Sequence, residues 1–335
     1  MPAHFTHLHE HSAKELFDLI DHAVLLKKRP FKGRPLQGKS LAFCFMNPSL
    51  RTQVSFEVAA VALGGHPLVL SLGTATWQME HQEGIVMDGK AAEHLKEAVP
   101  VLARYCQALA LRSFPAGVNW AEDRLEPYLS AFRKYSPVPV INLESATGHP
   151  CQALADLMTI RERMNPKKKN FLLTWAPHIK GLPMAVPNSA AEMAALAGMN
   201  VTIAHPEGFD LDPEVIARVR ANCKKNDAAF RISQDVPRVY DNADVVYAKS
   251  WGSIKDYGKP LPSDPEFRAK WMVTADKMKR TDNALFMHCL PVRRNLVVAD
   301  EVLDGPWSVV IDQAENRLHT SKAVLLKLLS RRPPS

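Results

Sequence analysis

The stretch Ser40-Leu-Ala-Phe-Cys-Phe-Met46, followed by Asn47-Pro48-Ser49-Leu50-Arg51-Thr52-Gln53-Val54-Ser55-Phe56-Glu57, decides the fold. Its first part is an unbroken apolar run of strand length, the pattern of a parallel strand buried on both faces. Pro48 ends that strand and Ser49 is placed to cap. Residues Thr52 to Leu63, rich in Val, Ala and Phe, read as a helix closed by Gly64-Gly65. A buried strand feeding a helix is half of a βαβ unit. Strand-like runs recur at Pro67 to Leu72, Ala108 to Arg112, Val138 to Leu143, Asn170 to Trp175, Asn200 to Ala204, Ala243 to Tyr247, Ala284 to Met287 and Ser308 to Ile311. Helical stretches fall between most of them, at Ala91 to Tyr105, Glu122 to Lys134, Gln152 to Met164, Pro187 to Ala197, Pro213 to Asn226 and Ala314 to Leu329. This alternation predicts an α/β protein with parallel sheets covered by helices on both faces.

The chain has 335 residues, about two domains at ~150 residues each. The boundary falls at 145 to 150, giving a first domain over 1–148, completed by a C-terminal helical segment 314–335, and a second over 149–313. Apolar residues make up 46% and charged residues 23%, which excludes disordered, collagenous and coiled-coil classes. No apolar run is long enough to span a bilayer, and the first twenty residues lack the order of a signal peptide. The expectation is a cytoplasmic protein without a membrane partner. The five cysteines are scattered without a CxxC pair, so they read as reduced thiols and suggest no structural metal.

The net charge is +7. Its basic runs (Lys27-Lys28-Arg29, Lys167-Lys168-Lys169, Lys224-Lys225, Arg331-Arg332) are short and not interleaved with aromatics. They read as solvated surface rather than a nucleic-acid face. Single arginines inside apolar segments point instead to a small anion.

Gly33-Arg-Pro-Leu-Gln-Gly38-Lys39-Ser40 matches the phosphate-loop pattern letter for letter. That loop needs a strand before it and a helix after it. Here residues 30 to 38 lead into a strand, and Pro35 sits in the supposed cradle, so the segment reads as a turn. The loop after Met46 is a better anion site. A helix starting near Arg51 offers unpaired amides and a positive dipole end, Arg51 a charged fork and Thr52 a hydroxyl. An ordinary capped helix with one exposed arginine is the competing reading.

Ser-x-Arg-Thr followed by Ser-Phe-Glu resembles the carbamoyl-phosphate motif of the aspartate and ornithine carbamoyltransferases. Arg112 in Leu111-Arg112-Ser113-Phe114-Pro115, His149-Pro150-Cys151-Gln152, His288-Cys289-Leu290-Pro291 and Ala314-Glu315-Asn316-Arg317-Leu318-His319 agree with that family in order. The resemblance covers nearly the whole chain. It implies two parallel α/β domains with the active site in the cleft between them, and a homotrimer sharing sites between subunits. It implies that Ser49, Leu50, Arg51, Thr52, Trp77, Arg112, His149, Gln152 and Arg317 bind carbamoyl phosphate, with Thr52, Arg112, His149 and Cys289 in catalytic roles. Without their motifs, His149 would read as a capping residue and Cys289 as a buried thiol. Since the departing phosphate accepts the amine proton, no cofactor or metal is implied.

The likeness extends to the N-acylornithine carbamoyltransferases, through Trp77, Met87-Asp88-Gly89, Glu144, Thr174-Trp175-Ala176-Pro177-His178, Lys249 and Arg293-Arg294-Asn295. It implies that Ala92, Glu144, His178, Lys249, Cys289, Leu290 and Arg293 contact the acylated amino acid. A cation at Lys249, where ornithine enzymes carry a Ser-Met-Gly loop, would repel an α-ammonium but welcome a carboxylate. Acetyl-type members carry glutamate at position 92 and lysine at 297; Ala92 and Val297 favour N-succinylornithine over N-acetylornithine, the alternative. Gln53 stands where arginine is usual, which leaves a non-catalytic anion-binding homologue as another reading. For Trp77 and Trp175, core packing competes with a role in the site.

Overall fold

The computed structural model describes residues 3–29 and 33–330. Residues 30 to 32 before the first strand, and Arg331-Arg332 with the rest of segment 314–335 beyond Ser330, lie outside them. The chain forms two compact units. One comprises Met1–Ala116, Ala121–Cys151 and Arg317–Ser335, the other Gly117–Trp120 and Gln152–Asn316. The elements of the first half run α1 (Ala13–Lys28), β1 (Ser40–Phe45), α2 (Leu50–Ala62), β2 (His66–Ser71), β3 (Gln78–Glu80), β4 (Ala91–His94), α3 (Leu95–Tyr105), β5 (Ala108–Arg112), α4 (Trp120–Asp123), α5 (Pro127–Tyr135) and β6 (Val140–Glu144). After them come α6 (Pro150–Arg163), β7 (Asn170–Trp175), α7 (Ala185–Leu196), β8 (Asn200–Ala204), α8 (Pro213–Lys225), β9 (Phe230–Ser233), β10 (Val245–Lys249), α9 (Pro265–Trp271), α10 (Ala275–Met278), β11 (Leu285–Met287), α11 (Asp300–Leu303) and α12 (Val310–Leu329).

Both main sheets are parallel. The first has the order β2-β1-β5-β6 and the second β11-β10-β7-β8-β9. In each, the chain reverses its direction of travel between two neighbouring strands, and ligands of such sheets gather beyond the carboxyl ends there. In the first sheet this switch lies between β1 and β5, whose ends pair Phe45 with Arg112. In the second it lies between β7 and β10, whose ends pair Trp175 with Lys249. Two cations thus sit where the topology opens the sheets.

Several local expectations change. Residues Ala91 to Tyr105 are not one helix: the first four form β4, paired with β3, and the helix begins at Leu95 with the His94 ring accepting from the Lys96 amide. Ladder bonds override helical propensity there. The stretch Glu122 to Lys134 splits because Pro127 disfavours helix in the residue before it and starts α5. Ser308 makes a single bridge to Phe286, and the rest of its expected strand opens α12. The Gly33 to Ser40 segment turns into β1, with Leu36 buried and the Lys39 amide bonded to the Leu36 carbonyl. It has no helix after it to face a phosphate.

Trp175 is core. Its ring packs on Phe209, Phe267 and Trp271, and its Nε1 donates to the Trp251 carbonyl at 3.0 Å. All five cysteines are buried. Burial pushes the Cys44 and Cys151 thiols up to about 12 and Cys223 to about 11, so almost no thiolate exists at neutral pH. A thiol reagent at pH 8 is expected to label these three only after denaturation, as peptide mapping would record.

Candidate active site

The loop after β1 builds an anion cradle in the first unit. Ser49 is extended and caps α2, its Oγ accepting from the Thr52 amide at 3.3 Å. Arg317 of α12, 4% exposed, donates to Thr52 Oγ1 at 2.7 Å. Burial holds its guanidinium below the usual arginine range, and the charges of Arg112 and Arg51 push the same way. Arg112, buried at the end of β5, pairs with Glu144, stacks on Phe114, and keeps a buried Nε without a hydrogen-bond partner among the described residues. His149 Nε2 lies 3.7 Å from the Glu144 carboxylate. The turn before His149 is tight: Asn142 and Ser145 bond to the Gly148 carbonyl, and a Cβ at Gly148 would come within 2.9 Å of the His7 ring. The guanidinium charges of Arg51, Arg112 and Arg317 thus lie close enough to oppose one another, with Glu144 offsetting them in part. Such a site is relieved by a bound dianion.

Other residues expected around carbamoyl phosphate are placed differently. Leu50 is 74% exposed and Trp77 56%; Trp77 Nε1 donates to Glu93 at 2.7 Å. Ala92, the neighbour of Glu93 on β4, is exposed. Glu144, expected beside the acylated amino acid, sits with Arg112 and His149. Gln152 belongs to the second unit, fully buried, its Nε2 donating to Asp156 at 2.8 Å.

In the second unit His178, Lys249 and Arg293 lie close together, while Cys289 lies near Tyr247 and Leu290 is held by His288. Arg293 Nε donates to His178 Nε2 at 3.2 Å, so that nitrogen is the acceptor and Nδ1–H bonds the Lys180 carbonyl at 3.0 Å. Burial lowers the His178 pKa, and the charges of Lys249, Arg293 and Lys180 lower it further against that carbonyl bond. At neutral pH the imidazole is uncharged beside three cations. Lys249 is 8% exposed and has no carboxylate within salt-bridge distance among the described residues. Leu290 takes the left-handed conformation at φ 53°, its amide bonded to His288 Nδ1 at 2.9 Å. A branched residue there stores strain, which is common at ligand clamps.

Two family models match the chain. The carbamoyl-phosphate-binding domain of aspartate/ornithine carbamoyltransferases matches residues 3–162, and their Asp/Orn-binding domain matches residues 184–328. The chain belongs to the aspartate/ornithine carbamoyltransferase family. Among the relatives of this carbamoyltransferase is the N-acetylornithine carbamoyltransferase of Xanthomonas campestris, 41% identical over 99% of both chains. The N-succinylornithine carbamoyltransferase of Bacteroides fragilis is 39% identical over 92% of this chain and 93% of its own. A crystal structure of an N-acetyl-L-ornithine transcarbamylase variant, a glutamate replaced by alanine, superposes with a TM-score of 0.93 at 41% identity, covering 97% of this chain and 99% of that one. It holds carbamyl phosphate and N-succinyl-L-norvaline.

Three residues of this carbamoyltransferase escaped the sequence reading: Asp156, Gln313 and Tyr247, buried around Gln152. The spacing of Gln152 and Asp156, four apart on one helix, was a usable signal. Gln313 had none, being far away in sequence.

Proposed function

We propose that this carbamoyltransferase moves the carbamoyl group of carbamoyl phosphate to the side-chain amine of an N-acylornithine, preferring N-succinylornithine to N-acetylornithine, in cytoplasmic arginine biosynthesis. The amine lone pair attacks the carbonyl carbon and a C–N bond forms. The tetrahedral oxyanion collapses with loss of phosphate, which leaves with the amine proton, giving N-acylcitrulline. Ser49, Arg51, Thr52 and Arg317 hold the phosphate. Thr52, Arg112 and His149 donate to the oxyanion, each such donor being worth about 10²–10³-fold in rate. Gln152 accepts from the carbamoyl amine.

Lys249 carries the acceptor assignment. A buried cation without an ion pair among the described residues, next to Arg293 and a neutral His178, suits a substrate carboxylate and opposes an α-ammonium. An acyl group neutralises that ammonium. The succinyl preference is supported by Ala92. The alanine-for-glutamate variant described above holds an N-succinyl ligand, and alanine leaves room and removes a charge that would repel the succinyl carboxylate. Ala92→Glu is expected to shift the kcat/KM ratio toward N-acetylornithine by at least tenfold, about 1.4 kcal/mol; an unchanged ratio would overturn the acyl assignment.

We also read the protein as a homotrimer with shared sites. Leu50, Val54, Val58 and Val61 form one exposed apolar stripe along α2, and Trp77 is exposed beside its bond to Glu93. Light scattering is expected to give three times the chain mass, and Val58→Asp to lower it. A monomeric wild type would contradict this.

A further inference from the structure

We infer that Asp156 and Gln313 are positioning residues that fix the polarity of the amide of Gln152 and the conformation of the loop 288–291, a role that rests on the proposed functions of Gln152, Cys289 and Leu290. Asp156 is fully buried on α6. Its Oδ1 accepts from Gln152 Nε2 at 2.8 Å and from Gln313 Nε2 at 2.7 Å. Tyr247, fully buried, bonds the same carboxylate, and its hydroxyl lies 3.4 Å from Gln313 Nε2. Gln313 turns its other end to the loop, Oε1 accepting from the His288 amide at 3.0 Å. His288 in turn accepts from the Leu290 amide.

An ionised carboxylate only accepts, so both amide groups must present their NH2 to Asp156. Their oxygens then point the opposite way. Gln313 Oε1 can hold the His288 N–H only in this sense. Gln152 Oε1 is left buried with no hydrogen-bond partner among the described residues, an acceptor kept for an incoming N–H such as that of a carbamoyl group. Leaving such an oxygen unpaired costs free energy, which a ligand donor removes. An amide in place of the Asp156 carboxylate would let either glutamine flip. Gln152 could then offer NH2 to the carbamoyl NH2, donor against donor, and Gln313 could offer NH2 to the His288 N–H.

The experiment compares Asp156→Asn, Gln313→Glu and the double variant as full-length enzyme, with steady-state kinetics for both substrates and melting temperatures. Gln313→Glu sets two carboxylates against each other. In the wild type one oxygen of Asp156 serves both glutamines, so in the double variant the new amide turns until its oxygen accepts from Gln152 and its NH2 donates to the new carboxylate, whose second oxygen holds the His288 N–H. Each single variant is expected to lower kcat about tenfold to a hundredfold and raise the acceptor KM, and Asp156→Asn, which lets Gln152 turn its NH2 to the carbamoyl group, should raise the carbamoyl phosphate KM as well. The double variant should return within about fivefold of wild type. A partly unfolded sample would lower kcat but leave KM unmoved. Gln313→Met, which keeps the volume and adds no charge, serves if the charged variants do not fold; it should raise the acceptor KM at least about fivefold. Wild-type kinetics in Asp156→Asn or Gln313→Met, or singles that fail without rescue in a folded double variant, would overturn the inference. A wild type that turns over free ornithine best defeats the acceptor assignment alone, since the variants are read against whichever acceptor is used; one inert with every acceptor removes both.

Discussion

Arg317→Met is expected to lower kcat/KM for carbamoyl phosphate by about 10²–10³-fold, ~3–4 kcal/mol, with little or no loss of melting temperature. The two halves of this result have separate causes. In the ligand-free protein Arg317 is a buried cation whose charge is disfavoured by burial and by Arg112 and Arg51. Methionine fills similar volume without that charge. The bond lost to Thr52 costs about 1 kcal/mol, which relief of like-charge repulsion offsets. On the proposed reading, the same guanidinium is a charge-assisted donor to the phosphate of bound carbamoyl phosphate, and its loss is then felt in full. A ligand at a hundred times its dissociation constant stabilises the wild type by about 2.7 kcal/mol, so its melting temperature should rise on adding carbamoyl phosphate, and the variant should lose most of that rise. An Arg317→Met enzyme with wild-type kcat/KM would place the phosphate elsewhere.

Lys249→Met should act on the other substrate. The lysine ends β10 beside Trp175, buried and without an ion pair among the described residues. Removing one partner of a buried charge pair costs about 3–5 kcal/mol. The acceptor kcat/KM is therefore expected to fall about 10²–10⁴-fold, mostly through KM, while the carbamoyl phosphate KM stays within a few-fold. Folding should be unharmed or strengthened, because the free protein no longer buries an unmatched ammonium. An unchanged acceptor KM would dissociate Lys249 from substrate binding.

The apolar runs at Ala108 to Arg112, Asn170 to Trp175 and Asn200 to Ala204 coincide with β5, β7 and β8, because strands covered on both faces are written in consecutive apolar residues. Edges were less legible. β4 is short and half exposed, held by pairing with β3, and a window rich in alanine reads as helix there. Helix α1 was overlooked although Ser12 and Glu15 form a capping box. In the candidate site, residues carried by short motifs could be named from the chain. How they group could not: Glu144 pairing with Arg112 and His149, or Gln313 reaching Asp156 across 157 residues, depends on which strands and helices become neighbours. Charge alone was a poor guide too: the motif around Lys249 marks it in the sequence, but that it is buried with no carboxylate within salt-bridge distance among the described residues is seen only in the fold.

The most direct measurement is the initial rate with saturating carbamoyl phosphate and, in parallel, ornithine, N-acetylornithine or N-succinylornithine, with the product identified by mass. N-succinylornithine is expected to give the highest kcat/KM, with N-succinylcitrulline and phosphate formed in equal amounts, and free ornithine the lowest. Free ornithine as the best acceptor would contradict the role given to Lys249 and Arg293.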